Sequence, residues 1–344
     1  METFLGLDYP TLWFLVVGAA FSGYVILDGF DLGAGALHLF FKDDQSRRIA
    51  LNAVGPVWDG NEVWLVIGGG TLFAGFPVLY ATLFSAMYIP FMLFLLFIIL
   101  RAVAIEFRSK EQMRWWRTLW DVTYSVSSIL LSFSLGVVLG NVLQGMPLDS
   151  HYEFKGDWAS FINFYSILTG LTSLALMTLH GGLYLSLKTE GRLFALVANL
   201  LQKAVIVFIL LFSVLTIYTL IYFPHLSDKF KETGFLFIVP FLAVLGIANI
   251  PRLIARRKFI WAFLFSSFTF ALLLIIVAIE LYPQLLFSTL DANNSITIYN
   301  AASSDKSMGI MLRFALFSLP LIGGYTYFVY RAFWGKVRLD ETSY

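Results

Sequence analysis

The run PTLWFLVVGAAFSGYVILDGFDLGAGALHLFF, Pro10–Phe41, decides the fold. It exceeds the ~20 apolar residues that cross a bilayer core, yet it carries Asp28 and Asp31. Residues three apart share one face of a helix. Insertion scales charge an aspartate at a helix centre about 2.5–3.5 kcal/mol, so two such acids face protein or water rather than lipid. The glycines around them let a neighbouring helix approach closely.

The rest of the chain has the same character. Its 344 residues are 59% hydrophobic and 13% charged, with a mean hydropathy of +0.79, whereas a soluble domain has roughly 25% charged residues. The sequence predicts an all-α polytopic membrane protein, 1–344 forming one integral membrane domain. Apolar runs predict nine transmembrane helices, at about 10–41, 50–76, 78–100, 119–143, 161–187, 193–223, 235–255, 259–282 and 308–332. Nine crossings put the termini on opposite sides. Alternate connections hold seventeen Lys and Arg against four, which places the N-terminus outside and the C-terminus in the cytoplasm. Met1–Pro10 lacks a basic n-region, so no cleavable signal peptide is expected. Residues 283–307 read as a polar outer connection.

His180 follows Asp28 by 152 residues and Pro240 follows Pro90 by 150, which suggests a parallel repeat. Its units are about 10–143 and 161–282, two four-helix bundles with helix 308–332 as an additional one. Chance similarity between Gly-containing apolar helices gives the same pattern.

A net charge of +1 gives no field for nucleic acid, which is excluded as a partner. Without cysteine, any redox centre needs His, Met or carboxylate ligands or lies elsewhere. No metal-ligand spacing, phosphate-cradling loop or nucleophile–base pair appears, so no catalytic or metal-binding residue is assigned.

A second acid cluster lies in Gly55-Pro56-Val57-Trp58-Asp59-Gly60-Asn61-Glu62-Val63-Trp64. Asp31 and Asp59 each stand about ten residues from the first cytoplasmic turn, roughly 15 Å deep. Asp28, Asp31, Asp59 and Glu62 are thus expected to converge. Four close carboxylates cannot all ionise in a low dielectric, and some must hold protons, as a proton relay requires. The same acids would also serve helix packing, with Asp59 or Asn61 satisfying backbone groups freed by Pro56 and Gly60. Trp58 and Trp64 would line a quinone or dioxygen path, or simply pack.

Arg101 is expected at the cytoplasmic end of the third helix, as charge partner of an acid or as lipid contact. Arg108, Lys110, Arg114, Trp115, Trp116 and Arg117 read as a headgroup anchor. Of four histidines, His180 alone lies well inside a span. It reads as a satisfied polar residue in a helix interface, with at most one axial haem bond as the alternative. Glu280 is expected near the outer interface.

At these residues the chain resembles subunit II of the cytochrome bd quinol oxidases over essentially its whole length. The resemblance rests on Asp28-Gly29-Phe30-Asp31-Leu32-Gly33, Arg47-Arg48, Trp58-Asp59-Gly60-Asn61 with Val63-Trp64, and Arg101 followed by Arg108-Ser109-Lys110. It extends through Trp120-Asp121, Gly140-Asn141, Leu143-Gln144-Gly145, and Trp261-Ala262-Phe263 with Ser266-Ser267. It implies a nine-helix subunit of the bacterial inner membrane, paired with a subunit I that holds two haems b, one haem d and the quinol site. Respiratory quinol oxidation would there reduce dioxygen to water. Subunit II would supply scaffold and a cytoplasmic proton path, to which Asp28, Asp31 and Asp59 correspond. The resemblance also implies a structural quinone near Trp58, a dioxygen path near Trp64, surrounding membrane lipids and room for a small single-helix accessory subunit. Glu62 and His180 stand where the family sometimes carries Gln, so their roles are not implied. The rival from the residues alone is a proton-coupled secondary transporter.

Overall fold

The computed structural model describes residues 3–4 and 6–339. After a short antiparallel pair, β1 (Thr3–Phe4) with β2 (Leu7–Asp8), twelve α-helices follow among the described residues. They are α1 (Tyr9–Leu37), α2 (Asp44–Val54), α3 (Trp58–Gly75), α4 (Pro77–Ala86), α5 (Tyr88–Phe107), α6 (Arg114–Gln144), α7 (Phe164–Lys188), α8 (Gly191–Tyr222), α9 (Asp228–Glu232), α10 (Ile238–Ala255), α11 (Phe259–Leu281) and α12 (Asp305–Ala332). Local chemistry sets several starts. Asp8 caps α1 by accepting from the Thr11 N–H at 2.7 Å, with Pro10 in the first turn. Asn163 and Ser166 cap α7 reciprocally.

Eight helices are individually long and apolar enough to cross a membrane: α1, α5, α6, α7, α8, α10, α11 and α12. The pair α3 and α4 meets that standard only jointly and is bent by 119°. Counting the pair as one span gives the expected nine crossings. The expected helices at 50–76 and 78–100 need correction. An amphipathic α2 precedes a break at Gly55–Val57, because Pro56 has no N–H to continue the ladder. Pro77 then begins α4 after Phe76, whose ψ of 65° has left the helical region. Continuous hydrophobicity hid both interruptions.

α1 lies at the centre and packs against α3, α6, α7, α11 and α12, while α7 also packs against α6 and α8. The closest approach is at Gly33, where an added Cβ would stand 1.8 Å from the Met177 carbonyl oxygen. Across the contact, a Cβ on Gly181 would meet the Ala34 nitrogen at 2.2 Å. Backbone thus rests on backbone. Gly33→Ala is expected to wedge α1 from α7 and destabilise the protein by about 1–3 kcal/mol, the usual overpacking range. A lowered thermal unfolding midpoint checks it, and an unchanged midpoint would show that the helices can part freely.

The segment 283–307 is more than a polar connection. β3 (Gln284–Leu286) pairs with β4 (Ile296–Thr297), and Leu286, Ile296, Ile298 and Ala301 are buried beneath the bundle end. Ser303 fastens this cap by donating its N–H to the Gly75 carbonyl at 2.9 Å and its hydroxyl to that of Ala74 at 2.7 Å. At the opposite end, the residues after α12 strap α7. Lys336 donates to the carbonyls of Ser186 and Thr189, satisfying the terminal acceptors of that helix.

Candidate functional site

Asp28 and Asp31 lie on the buried face of α1, as their spacing predicts. The partner of Asp28 comes from α5, which runs to Phe107, so that Arg101 lies six residues inside the helix. Arg101 is 1% exposed and Asp28 0%. The two form a bidentate fork: Nη1 donates to Oδ2 at 2.9 Å, and Nη2 bonds Oδ1. Glu62 of α3 stands 3.6 Å from Nη2 of the same guanidinium. Arg101 is therefore an internal counter-ion, and the lipid-contact alternative is set aside.

Asp31 is held differently. Asn61 donates from Nδ2 to its Oδ2 at 2.7 Å, and Tyr330 of α12 donates to Asn61 Oδ1 at 2.9 Å. Its Oδ1 is buried and accepts no hydrogen bond from a described residue. One buried cation thus serves three carboxylates, of which Asp31 has only amide support. The expectation of four converging acids holds for Asp28, Asp31 and Glu62 alone. Asp59 lies in the first turn of α3 and is exposed, because the break at Pro56 turns that first helical position outward.

A cleft of about 360 Å³ runs between α3 and α12. Gly60, Asn61, Trp64, Ile67, Tyr325 and Tyr330 line it, so it reaches the amide that holds Asp31. Trp64 packs on Gly23, where a Cβ would come within 2.5 Å of the indole. Trp58 is buried with Leu51, Ala104, Ile105 and Tyr124. Both tryptophans pack, and only Trp64 also borders the cleft.

A second charge cluster escaped the sequence reading. Asp121 of α6, 1% exposed, receives Arg108 Nε at 2.5 Å and Arg47 Nη1 at 2.9 Å, and pairs with His38 Nε2 at 2.6 Å. Arg108 also donates to Asp44 at 2.8 Å, and Arg117 bonds the other oxygen of Asp44 at 2.9 Å. Arg108, 1% exposed, therefore does not belong to a headgroup anchor, while Trp115 is exposed and Arg117 partly so. The overlooked signal was periodicity: Asp121, Ser125, Ser128 and Ser132 form a polar stripe on α6, every member buried.

His180 satisfies both ring nitrogens. The Ile26 carbonyl can only accept, so Nε2 donates to it at 3.0 Å and Nδ1 takes the Ser266 hydroxyl at 2.6 Å. Its ring stacks on Phe263 at 4.6 Å. His38 is 0% exposed and walled edge-on by Phe41 and Tyr124. His38 Nδ1 is buried and has no hydrogen-bond partner among the described residues. Glu280 is half-buried at the C-terminal end of α11. No group of three or more His, Asp or Glu suited to a metal ion occurs among the described residues.

Fold and site define a class: a helical integral membrane protein whose bundle encloses linked acids and arginines. A family model described as cytochrome bd terminal oxidase subunit II matches residues 9–333. The chain belongs to the cytochrome bd terminal oxidase subunit II family. It is similar to the cytochrome bd ubiquinol oxidase subunit 2 of Bacillus subtilis (strain 168), 35% identical over 328 residues, covering 93% of this chain and 95% of that one. The cytochrome bd-I ubiquinol oxidase subunit 2 of Escherichia coli (strain K12) is 30% identical over 370 residues, with 97% of each chain covered. A chain of the bd oxidase from Geobacillus thermodenitrificans shares the fold at a TM-score of 0.77 and 20% identity, over 94% of this chain and 98% of that one.

Proposed function

We propose that this chain, with a haem-bearing subunit I, forms a quinol oxidase of the bacterial inner membrane that reduces dioxygen to water. Two haems b and one haem d belong to the partner, in keeping with the engaged His180 and the enclosed His38. The biased distribution of Lys and Arg supports a cytoplasmic C-terminus. We read one membrane domain built on a parallel repeat, its two halves joined where α1 and α6 pack on α7. A structural quinone beside Trp58, dioxygen movement along the Trp64 cleft, surrounding lipids and a small single-helix accessory subunit complete the reading.

The observation that carries the proton role is the buried group of Glu62, Arg101–Asp28 and Asn61–Asp31, with exposed Asp59 at its edge on α3. Asp59 takes protons from the cytoplasmic side. Glu62 follows it one helical turn on, within electrostatic reach. Asp31, with one oxygen free of donors, accepts and releases a proton without breaking the Asp28–Arg101 fork. Consumption of cytoplasmic protons then separates charge across the membrane without a pump.

Asp59→Asn tests this in the purified two-subunit complex, since an exposed site tolerates the change. Turnover with excess quinol is expected to fall about a hundredfold, the lower end of losses on removing a proton-transfer group, while the reduced-minus-oxidised haem spectrum keeps its amplitude. Normal turnover would discard the path.

A further inference from the structure

The corner between the end of α1 and the start of α8 contains a cavity of about 330 Å³. Lys42 and Arg192 supply its charge, Phe40 and Leu196 its apolar wall, and Asp43 and Ser46 its floor. Both cations are exposed, and neither has a hydrogen bond or ion pair with a described residue. Asp43 lies within electrostatic reach of Arg192. Its two oxygens, however, are taken by the Ser46 N–H and hydroxyl, each at 2.8 Å, which cap α2 and hold the carboxyl below its ordinary range. The cavity keeps a net positive charge. Glu190, at the start of α8, makes no side-chain cap and does not line the cavity.

A second observation lies along α8. Lys203 stands eleven residues beyond Arg192, three turns away on the same face. Asn199 lies between them, and both Asn199 and Lys203 are exposed without a hydrogen bond or ion pair to a described residue. A helix of 32 residues is roughly 48 Å long and overshoots the ~30 Å hydrocarbon core by about 9 Å at each end when centred. Lys203, about 18 Å from the helix start, is then roughly 9 Å inside hydrocarbon. Helical side chains lean toward the N-terminus, so its ammonium reaches back toward the cavity. Deeper on α8, Ile206, Val207 and Leu210 are exposed and apolar.

We propose that this corner binds the phosphate of an anionic phospholipid, with Lys42 and Arg192 at the headgroup and Lys203 approaching it from the membrane side. Acyl chains lie on the apolar face of α8 beyond Lys203. A soluble anion would leave Lys203 and that apolar face without a role, and a partner helix would leave the cavity charges unmatched. This inference does not depend on the proton path.

Delipidated two-subunit complex in detergent micelles is titrated with phosphatidylglycerol and phosphatidylcholine, and retained lipid is measured by native mass spectrometry. The wild type is expected to prefer phosphatidylglycerol. Each cation near a membrane surface contributes about fivefold, so Lys203→Gln lowers that preference about fivefold and Lys42→Gln with Arg192→Gln about twenty-five-fold. Haem spectra and turnover in phosphatidylcholine stay as in the wild type. Undiminished preference in the variants overturns the proposal. So does displacement of phosphatidylglycerol by equimolar inorganic phosphate, which would make this a site for free anions. Loss of a copurifying small polypeptide with lipid binding unchanged overturns it as well, in favour of a protein interface.

Discussion

Arg101→Gln is expected to lower the stability of the assembled protein by about 3–5 kcal/mol, the range for breaking a buried ion pair by removing one partner. The loss arises from what remains more than from what is removed. Asp28 is 0% exposed, and without the guanidinium its carboxylate keeps no cation while Asp31 and Glu62 stand nearby. Arg101→Lys keeps the charge but not the planar fork that grips both oxygens of Asp28, so it is expected to fall between Gln and wild type. Asp28→Asn in the Gln background removes the orphaned charge and recovers most of the loss. Thermal unfolding midpoints of the four proteins in one detergent check this, and a double variant no better than Arg101→Gln alone would show that the two residues are not energetically coupled.

The sequence carried this site unevenly, for reasons visible in the residues. Asp28 and Asp31 were legible because carboxylates in a long apolar run must face inward, and their spacing puts them on one face. Asn61 was quoted beside the second acid cluster, yet its contact with Asp31 needed the depth estimate and the fold together. Tyr330 was invisible, since nothing in an aromatic at the end of α12 indicates a hydrogen bond reaching back 269 residues. A continuous helix over 50–76 groups Asp59 with the buried acids, whereas it stands exposed in the first turn of α3. The break at Pro56 sets the register of α3 instead, and hydropathy averages across such a break.

The charges around Arg108 teach the complementary lesson. Basic residues beside tryptophans suit a membrane interface so well that composition alone assigns them there. Arg108 departs from that pattern because Asp121, thirteen residues on, lies buried on the polar stripe of α6. Composition sees the cations and misses the anion that collects them.

That anion is the second large expectation. Asp121→Asn withdraws the charge that faces Arg108, Arg47 and His38 at once, and Arg108 is itself 1% exposed. A loss of about 3–5 kcal/mol is again expected, since a buried cation is left without its main partner. Asp44 supplies an internal comparison, because it pairs with the same Arg108 at 2.8 Å while its side chain is 47% exposed. Water and salt already screen that pair, so Asp44→Asn is expected to cost no more than about 1 kcal/mol. Adding Arg108→Gln to Asp121→Asn should recover part of the loss, with the remainder reporting Arg47 and His38. Unfolding midpoints at low and high salt separate the two acids, as salt weakens the Asp44 contribution and leaves that of Asp121 nearly unchanged. Equal losses for the two single variants would mean that Arg108 is held by its surroundings rather than by Asp121, and the cluster would then be packing that happens to carry charge.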